Sequence, residues 1–403
     1  MTGSLASIFG GPAANDEIKG WTGSHASLMQ SRLEAARERS IAWLLTLQAP
    51  DAPRGVFRVS AAHDAAVWPG MLLPASASGV LCLKLFGEII HFRGDERAEL
   101  VAWFERARRP DGLFCVAGMT DDTVHKKDDL DETWRYIGLQ ITTQALAAIE
   151  ALDPLRKPRL DFADPWSDVI ILKAWLSDRD WRDPLTESTN VAHLGALLLL
   201  RQRYGTFDER HAAKLGMAAV FDWLERNQEP TSGFWGLAQT MSATRLLQSM
   251  TGAAGVFQLF HAARRPLPHQ SKAADLALSL SPPKIHGAVT DLALVDILAH
   301  AAAYADHRRA DIDRWLSKML DALLDFQNHD GGFPDVRTGV WKQDGWVAGY
   351  EEKQGLSNMQ ATFARWLSIA LIADRLWPGW KPWGFRRNAG PGFRAELPRL
   401  ASG

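Results

Sequence analysis

Apolar residues recur along this chain with helical spacing from about residue 26 to about residue 376, in two alternating styles. The first style is amphipathic. Between Glu96 and Arg108, for example, Leu100, Val101 and Phe104 share one face while Glu99, Glu105 and Arg106 fall on the other. That i, i+3, i+4 pattern marks a helix covered on one side. It predicts helices near 26–47, 95–108, 165–178, 209–227, 269–280 and 309–327. The second style is apolar nearly all round and rich in small residues, the mark of a helix enclosed on both sides. It predicts helices near 74–88, 132–150, 187–203, 244–262, 286–303 and 355–374. Sustained alternation of β-branched and polar residues is missing, so no strand is predicted. Six enclosed helices, each following an amphipathic one, predict an all-α fold: an (α/α)6 toroid of six helical hairpins, with an inner ring wrapped by an outer one. Residues 1–25 read as an N-terminal extension, 26–376 as the toroid and 377–403 as a Trp/Arg-rich C-terminal tail.

A phrase recurs where amphipathic helices end: an apolar pair, a Gln, then a Gly and an aromatic. It runs from Trp43 through Gln48 to Gly55-Val56-Phe57, and from Trp223 through Gln228 to Gly233-Phe234-Trp235. A third copy is Leu324 to Phe333, containing Gln327-Asn328-His329-Asp330-Gly331-Gly332. A looser one leads from Trp103-Phe104 to Asp111-Gly112-Leu113-Phe114, with Arg at the Gln position. A repeated phrase points to a repeat architecture. The Gly stops each helix, and the Gln and aromatic are expected to tie one hairpin to the next.

These phrases resemble the repeats of the terpenoid cyclase and protein prenyltransferase superfamily. The copy from Trp223 to Trp235 is similar to the glutamine–tryptophan motif of squalene–hopene cyclases, and Gln327 to Phe333 resembles its QNxDGGF form. The resemblance runs from about Ser27 to Ile372. It implies the toroid, with functional groups gathered where inner helices begin. It says less about chemistry, because one fold hosts several functions.

At the predicted start of the second inner helix lies the densest cluster of charge, Asp121 to Trp134. Within it, Asp129-Leu130-Asp131-Glu132-Thr133 resembles the DxDDT motif of class II terpene cyclases, whose middle Asp protonates an alkene. The resemblance implies Asp131 as the acid, with Asp129 and Glu132 beside it. Glu132 stands where the family has Asp. Crowded carboxylates raise one another's pKa, so one can stay protonated as a proton donor. The same residues also fit two other readings. Carboxylates and Thr at a helix start satisfy free amides and the helix dipole. Clustered Asp128, Asp129 and Asp131 suit Mg²⁺, with Lys126 and Lys127 near a diphosphate. The cofactor expectation is therefore none, or Mg²⁺.

Other polar or aromatic residues near inner-helix starts are expected to line a substrate cavity: Trp134, Tyr136, Asn190, His193, His286, Asp291, Asn358 and Trp366. Glu351 and Glu352 precede the sixth inner helix. Asp296 and His300 share a helical face but lack the third ligand of a zinc site. No Asp-x-Cys stands at an inner-helix start, so no zinc is expected by resemblance either.

Composition narrows the partners. A net charge of −2 gives no global field for nucleic acid, which is not expected as a partner. Cys82 and Cys115, the two cysteines, form no CxxC pair or Cys/His cluster. The N-terminus shows no basic-then-apolar leader, and the most apolar run, 191–200, is too short to span a bilayer; a cytoplasmic protein is expected. Phosphate loops, GxSxG elbows and dinucleotide fingerprints are missing. The tail, Trp377 to Arg387, mixes Trp with Lys and Arg and suits a membrane interface, although Pro378 and Pro382 favour a segment packed back over the toroid. The sequence thus leaves three readings: a terpenoid-cyclase-like enzyme acting on an isoprenoid or similar apolar substrate; a carbohydrate-active (α/α)6 hydrolase, lyase or epimerase; and a non-catalytic ligand-binding toroid.

Overall fold

A computed structural model of the chain describes residues 24–116, 130–236, 242–280, 284–342, 347, 349–380 and 382–384, with side chains for all of these except 24–25, 130–136 and 340–342. The protein is all-α in class. Among the described residues there are twelve α-helices. The amphipathic set is α1 (Ser24–Thr46), α3 (Gly94–Glu105), α5 (Val169–Ser177), α7 (Phe207–Asn227), α9 (Gln270–Ser279) and α11 (Arg309–Asp325). The enclosed set alternates with it: α2 (Leu72–Phe86), α4 (Leu130–Leu152), α6 (Pro184–Tyr204), α8 (Ala243–Ala262), α10 (Ala288–Tyr304) and α12 (Met359–Leu376). In α11 only one stripe is buried, Ile312, Trp315, Leu316, Met319, Leu320, Leu323 and Leu324. In α10 every residue from Asp291 to Ala303 is buried. The two periodicities read in the sequence therefore correspond to two burial regimes.

The enclosed helices are neighbours in cyclic order. α2 packs on α4, α4 on α6, α6 on α8, α8 on α10 and α10 on α12, and α12 packs back on α2. Side-chain meetings show that α6, α8 and α10 run in parallel. A Cβ on Gly252 of α8 would meet Ser188 of α6, and one on Gly195 of α6 would meet Leu259 of α8, a constant offset of 64 residues. Between α8 and α10 the offset is 39, from the Thr251–Thr290 hydrogen bond and the His261–His300 stack. Small residues at these crossings let the helices approach closely.

The repeated phrase is the device that joins hairpins. Gln48 folds onto its own loop, its Oε1 accepting from the Gly55 N–H at 2.8 Å and its Nε2 donating to the Pro53 carbonyl at 3.0 Å. Gln228 Nε2 likewise donates to the Gly233 carbonyl at 2.7 Å. The aromatic then locks into the following enclosed helix. The Phe57, Phe114 and Phe333 N–H groups donate to the hydroxyls of Ser76, Thr142 and Thr362, each at 2.9 Å. Gly112 and Gly331 have φ of +99° and +97°, and each sits where a Cβ would lie 2.3 Å from a backbone oxygen, that of Arg159 or Arg39. Only glycine permits both the dihedral and the approach. Around Gln327 the phrase closes the chain on itself: its Nε2 donates to the Ala36 carbonyl at 2.9 Å, and the Ser40 hydroxyl of α1 donates to the Gly331 carbonyl at 2.5 Å. Thr362→Val should cost about 1–3 kcal/mol by stranding the buried Phe333 N–H. Urea unfolding of the variant checks this, and an unchanged midpoint would show the hydroxyl to be dispensable.

Two elements differ from the sequence expectation. A short antiparallel hairpin, β1 (Val340–Lys342) with β2 (Glu351–Lys353), precedes α12 and pairs Trp341 with Glu352. Its three-residue strands are too short to show alternation. The sixth enclosed helix starts at Met359, not near 355, because Asn358 caps it, its Oδ1 accepting from the Ala361 N–H at 2.8 Å. Beyond α12 the chain folds back: the Gly384 N–H donates to the Leu85 carbonyl at 2.7 Å, and Trp383 lies 6.0 Å from Trp366. Trp377 and Trp383 are buried, so these two ring surfaces are spent on the protein itself. The segment Pro69–Phe86 is long and apolar enough to cross a bilayer, and 83% of it is buried inside the fold.

Candidate functional site

Asp129 lies outside the described residues. Asp131, Glu132, Trp134 and Tyr136 occupy the first turns of α4, and their side chains lie outside the described set. The Mg²⁺ reading of Asp128, Asp129 and Asp131 falls on the same segment. Among the described residues no group of three or more His, Cys, Asp or Glu is arranged to hold a metal ion.

His193 and Asn190 lie in the wall between enclosed helices. His193 is buried, with Nδ1 2.7 Å from the Thr143 hydroxyl of α4, and burial pushes its pKa down to about 3. Asn190 Nδ2 is 3.4 Å from Glu187 Oε2, and its buried Oδ1 has no hydrogen-bond partner. A histidine that is neutral when folded but titrates near 6.5 when unfolded makes the unfolded chain bind the extra proton. Its contribution therefore falls as pH drops from about 6.5 towards 3, by at most about 1.4 kcal/mol per unit. The His193 ring resonances should hold their neutral shifts from pH 8 to pH 5. A midpoint near 6.5 would contradict the burial argument.

Asp291 is wholly buried in an ion pair with Arg365 of α12, and both side chains are 0% exposed. The His286 N–H donates to its carboxylate at 3.1 and 3.3 Å. Arg365 Nη2 also donates to the Asp335 carbonyl at 2.7 Å, while Asp335 Oδ1 accepts from the Ala288 N–H at the start of α10. Burial raises the Asp291 pKa, and Arg365 pulls it partly back. His286 and Asp291 are thus brought together, with the carboxylate committed to a tie between α10 and α12. Asn358 is the cap of α12. Trp366 is fully buried, donating from Nε1 to the Ser40 hydroxyl at 2.7 Å and meeting Phe86 and Phe333 edge-on. Asp296 accepts from Gln258 Nε2 at 2.6 Å and lies beside His300, which stacks on His261 at 4.2 Å. This polar seam lies between α8 and α10, away from their starts.

The described group best placed for chemistry is Glu352, on β2 just ahead of α12. Glu351 is exposed, whereas Glu352 is buried. Its Oε1 accepts from the Tyr350 hydroxyl at 2.6 Å and from the Ser60 hydroxyl. The loop carrying Ser60 is pinned to the start of α12 by the Met359 N–H donating to the Val59 carbonyl at 2.7 Å. His63 belongs to the same buried cluster. Its Nδ1 accepts from the Val59 N–H at 3.1 Å, and Nε2 faces the Trp68 carbonyl at 3.0 Å. Those partners require the neutral tautomer with the proton on Nε2, and burial lowers its pKa. Tyr350 stands edge-on to both His63 and Trp68, at 5.6 and 5.8 Å. Burial, the bond to Glu352 and its charge push the Tyr350 pKa upward, so the phenol keeps its proton. Both hydroxyls donate to the same carboxylate oxygen. The arrangement can accept a proton or stabilise a nearby cation. A three-residue strand gave no sequence signal for it; only the burial alternation of Glu351, Glu352 and Lys353 separates the two glutamates.

No family model matches this chain, and it matches neither a curated protein nor a solved structure.

Proposed function

We propose that the chain is an (α/α)6 toroid and a terpenoid-cyclase-like enzyme, carrying out proton-initiated cyclisation or isomerisation of an isoprenoid or similar apolar substrate. The cyclic packing of the six enclosed helices supports the toroid. The observation that carries the enzymatic reading is the buried carboxylate of Glu352, held by two hydroxyls beside the His63, Trp68 and Tyr350 rings. It precedes α12, and Asp131 stands at the start of α4; both helices flank α2. In this reading the Asp131 O–H bond breaks and its proton adds to an alkene carbon, whose π pair forms the new C–H bond. The resulting cation is stabilised by the Trp68 and Tyr350 rings and by the Glu352 charge. Glu352 then removes a proton from the neighbouring carbon, whose C–H pair becomes the new double bond. Water returns each carboxyl to its starting state.

The test incubates the purified protein with squalene and a panel of prenyl diphosphates, with and without Mg²⁺, and reads products by mass spectrometry. Asp131→Asn and Glu352→Gln are each expected to lower turnover by about 10²–10⁴-fold. Unchanged turnover in Asp131→Asn overturns the assignment of the acid. One observation favours a second reading: Glu352 sits among hydroxyls beside the half-buried Trp68, as a sugar-stacking subsite does. A carbohydrate-active enzyme would ignore the isoprenoid panel and cleave or epimerise a sugar with the same sensitivity to Glu352→Gln.

A further inference from the structure

At the C-terminal ends of α4 and α6 lies a surface cavity of about 430 Å³, away from Glu352. Arg108, Arg156, Lys157, Arg159 and Arg201 line it, against two carboxylates, Asp161 and Glu209. With the adjoining Glu105 and Asp164 the count is five positive charges to four negative, in a chain whose net charge is −2. Pairing leaves one of the five cations over, since Arg159 is held by Asp161 and Arg201 by Asp164 and Glu209. Glu105 serves two guanidiniums at once, Arg108 and Arg156. Lys157 has no ion-pair partner among the described residues. At the cavity's base the Arg201 side chain is only 6% exposed. Its Nη2 reaches Asp164 and Glu209, while Nε and Nη1 are buried with no hydrogen-bond partner. Nε and Nη1 are closed off from solvent, so the groups offered to a ligand are the exposed Arg156, Lys157 and Arg159 at the lip, where a guanidinium fork matches phosphate geometry.

The rim has a second character. Leu155, next to Arg156, is 88% exposed, and Phe207, next to Thr206 of the lining, is 76% exposed. Large apolar side chains beside a basic cavity suit a ligand with an anionic head and an apolar body. We infer that this cavity binds the phosphate group of an amphipathic ligand, with Lys157, Arg159 and Arg156 at the lip, and Leu155 and Phe207 against its apolar part. The phosphate can come from a soluble diphosphate or from a phosphate-monoester lipid in a membrane.

The experiment separates these sources. The full chain is titrated with inorganic pyrophosphate by calorimetry, and separately sedimented with vesicles of phosphatidylcholine containing phosphatidic acid. Each is repeated with Lys157→Glu/Arg159→Glu and with Leu155→Ser/Phe207→Ser, all exposed positions that leave the core intact. Pyrophosphate binding that weakens at least about tenfold in the charge-reversed variant, and further at high salt, supports a soluble phosphate ligand. Vesicle binding lost in both variants, without pyrophosphate binding, supports a lipid phosphate. No binding in either arm, or binding that charge reversal leaves unchanged, overturns the assignment. The outcome is independent of whether Asp131 and Glu352 turn over a substrate.

Discussion

Arg365→Leu is expected to destabilise the protein by about 3–5 kcal/mol, because it strands the Asp291 carboxylate in a site with no access to water. The loss should show as a lower urea midpoint at unchanged slope. Most of the loss comes from the unpaired charge, so Arg365→Leu combined with Asp291→Asn should recover more than half of it. Asn keeps an acceptor for the His286 N–H. Acid separates the variant from the parent. Burial raises the Asp291 pKa already in the presence of Arg365, so the folded state takes up its proton at higher pH than the unfolded chain does. The penalty for this group is therefore greatest above the raised folded value and disappears as pH falls to the unfolded value near 4. Removing Arg365 raises the folded value further, so the gap between variant and parent should narrow on acidification from neutrality, beginning at higher pH. A gap that stays constant down to pH 4 would show that lost packing, and not stranded charge, causes the effect.

Gly331→Ala is the second large effect. At φ +97° an added Cβ meets the Arg39 carbonyl oxygen at 2.3 Å, and α1 must move to admit it. Left-handed strain of about 1–2 kcal/mol and overpacking of about 1–3 kcal/mol together give about 2–5 kcal/mol. Gly379→Ala serves as the control, since nothing lies within 4 Å of its Cβ position and φ is ordinary; it should move the midpoint by less than about 0.5 kcal/mol. Equal effects in the two variants would remove the argument from the closing contact.

Both predictions bear on what the sequence disclosed. Helices were legible because each style of periodicity reports a burial regime directly, and ten or more residues share one pattern. Gln48, Gln228 and Gln327 were legible as repeats, and the expected tie between hairpins is realised where Gln327 meets Ala36 and Ser40. Arg365 was not singled out. A lone cation in an apolar helix has no sequence partner when its carboxylate lies 74 residues away. Asn358 has residue chemistry that fits a cap as well as a cavity wall, and only the start of α12 decides. Glu352 was one of two adjacent glutamates until the hairpin put one side outward and the other inward. Contacts between residues remote in sequence leave no local pattern, and that is where the candidate site is built.

The seat of α1 has a consequence for the chain as it is made. Ser40 bonds to the Gly331 carbonyl across 291 positions, and Trp366 reaches back to the same hydroxyl. On a ribosome adding about 5–20 residues per second, α1 emerges about 15–60 s before the segment that covers it. Throughout that interval Leu33, Ala36 and Trp43, all buried in the finished protein, lack part of their cover. The nascent chain thus exposes an apolar helix face from its first hairpin to nearly its last, and chaperone occupancy should fall only when residues beyond about 331 clear the exit tunnel.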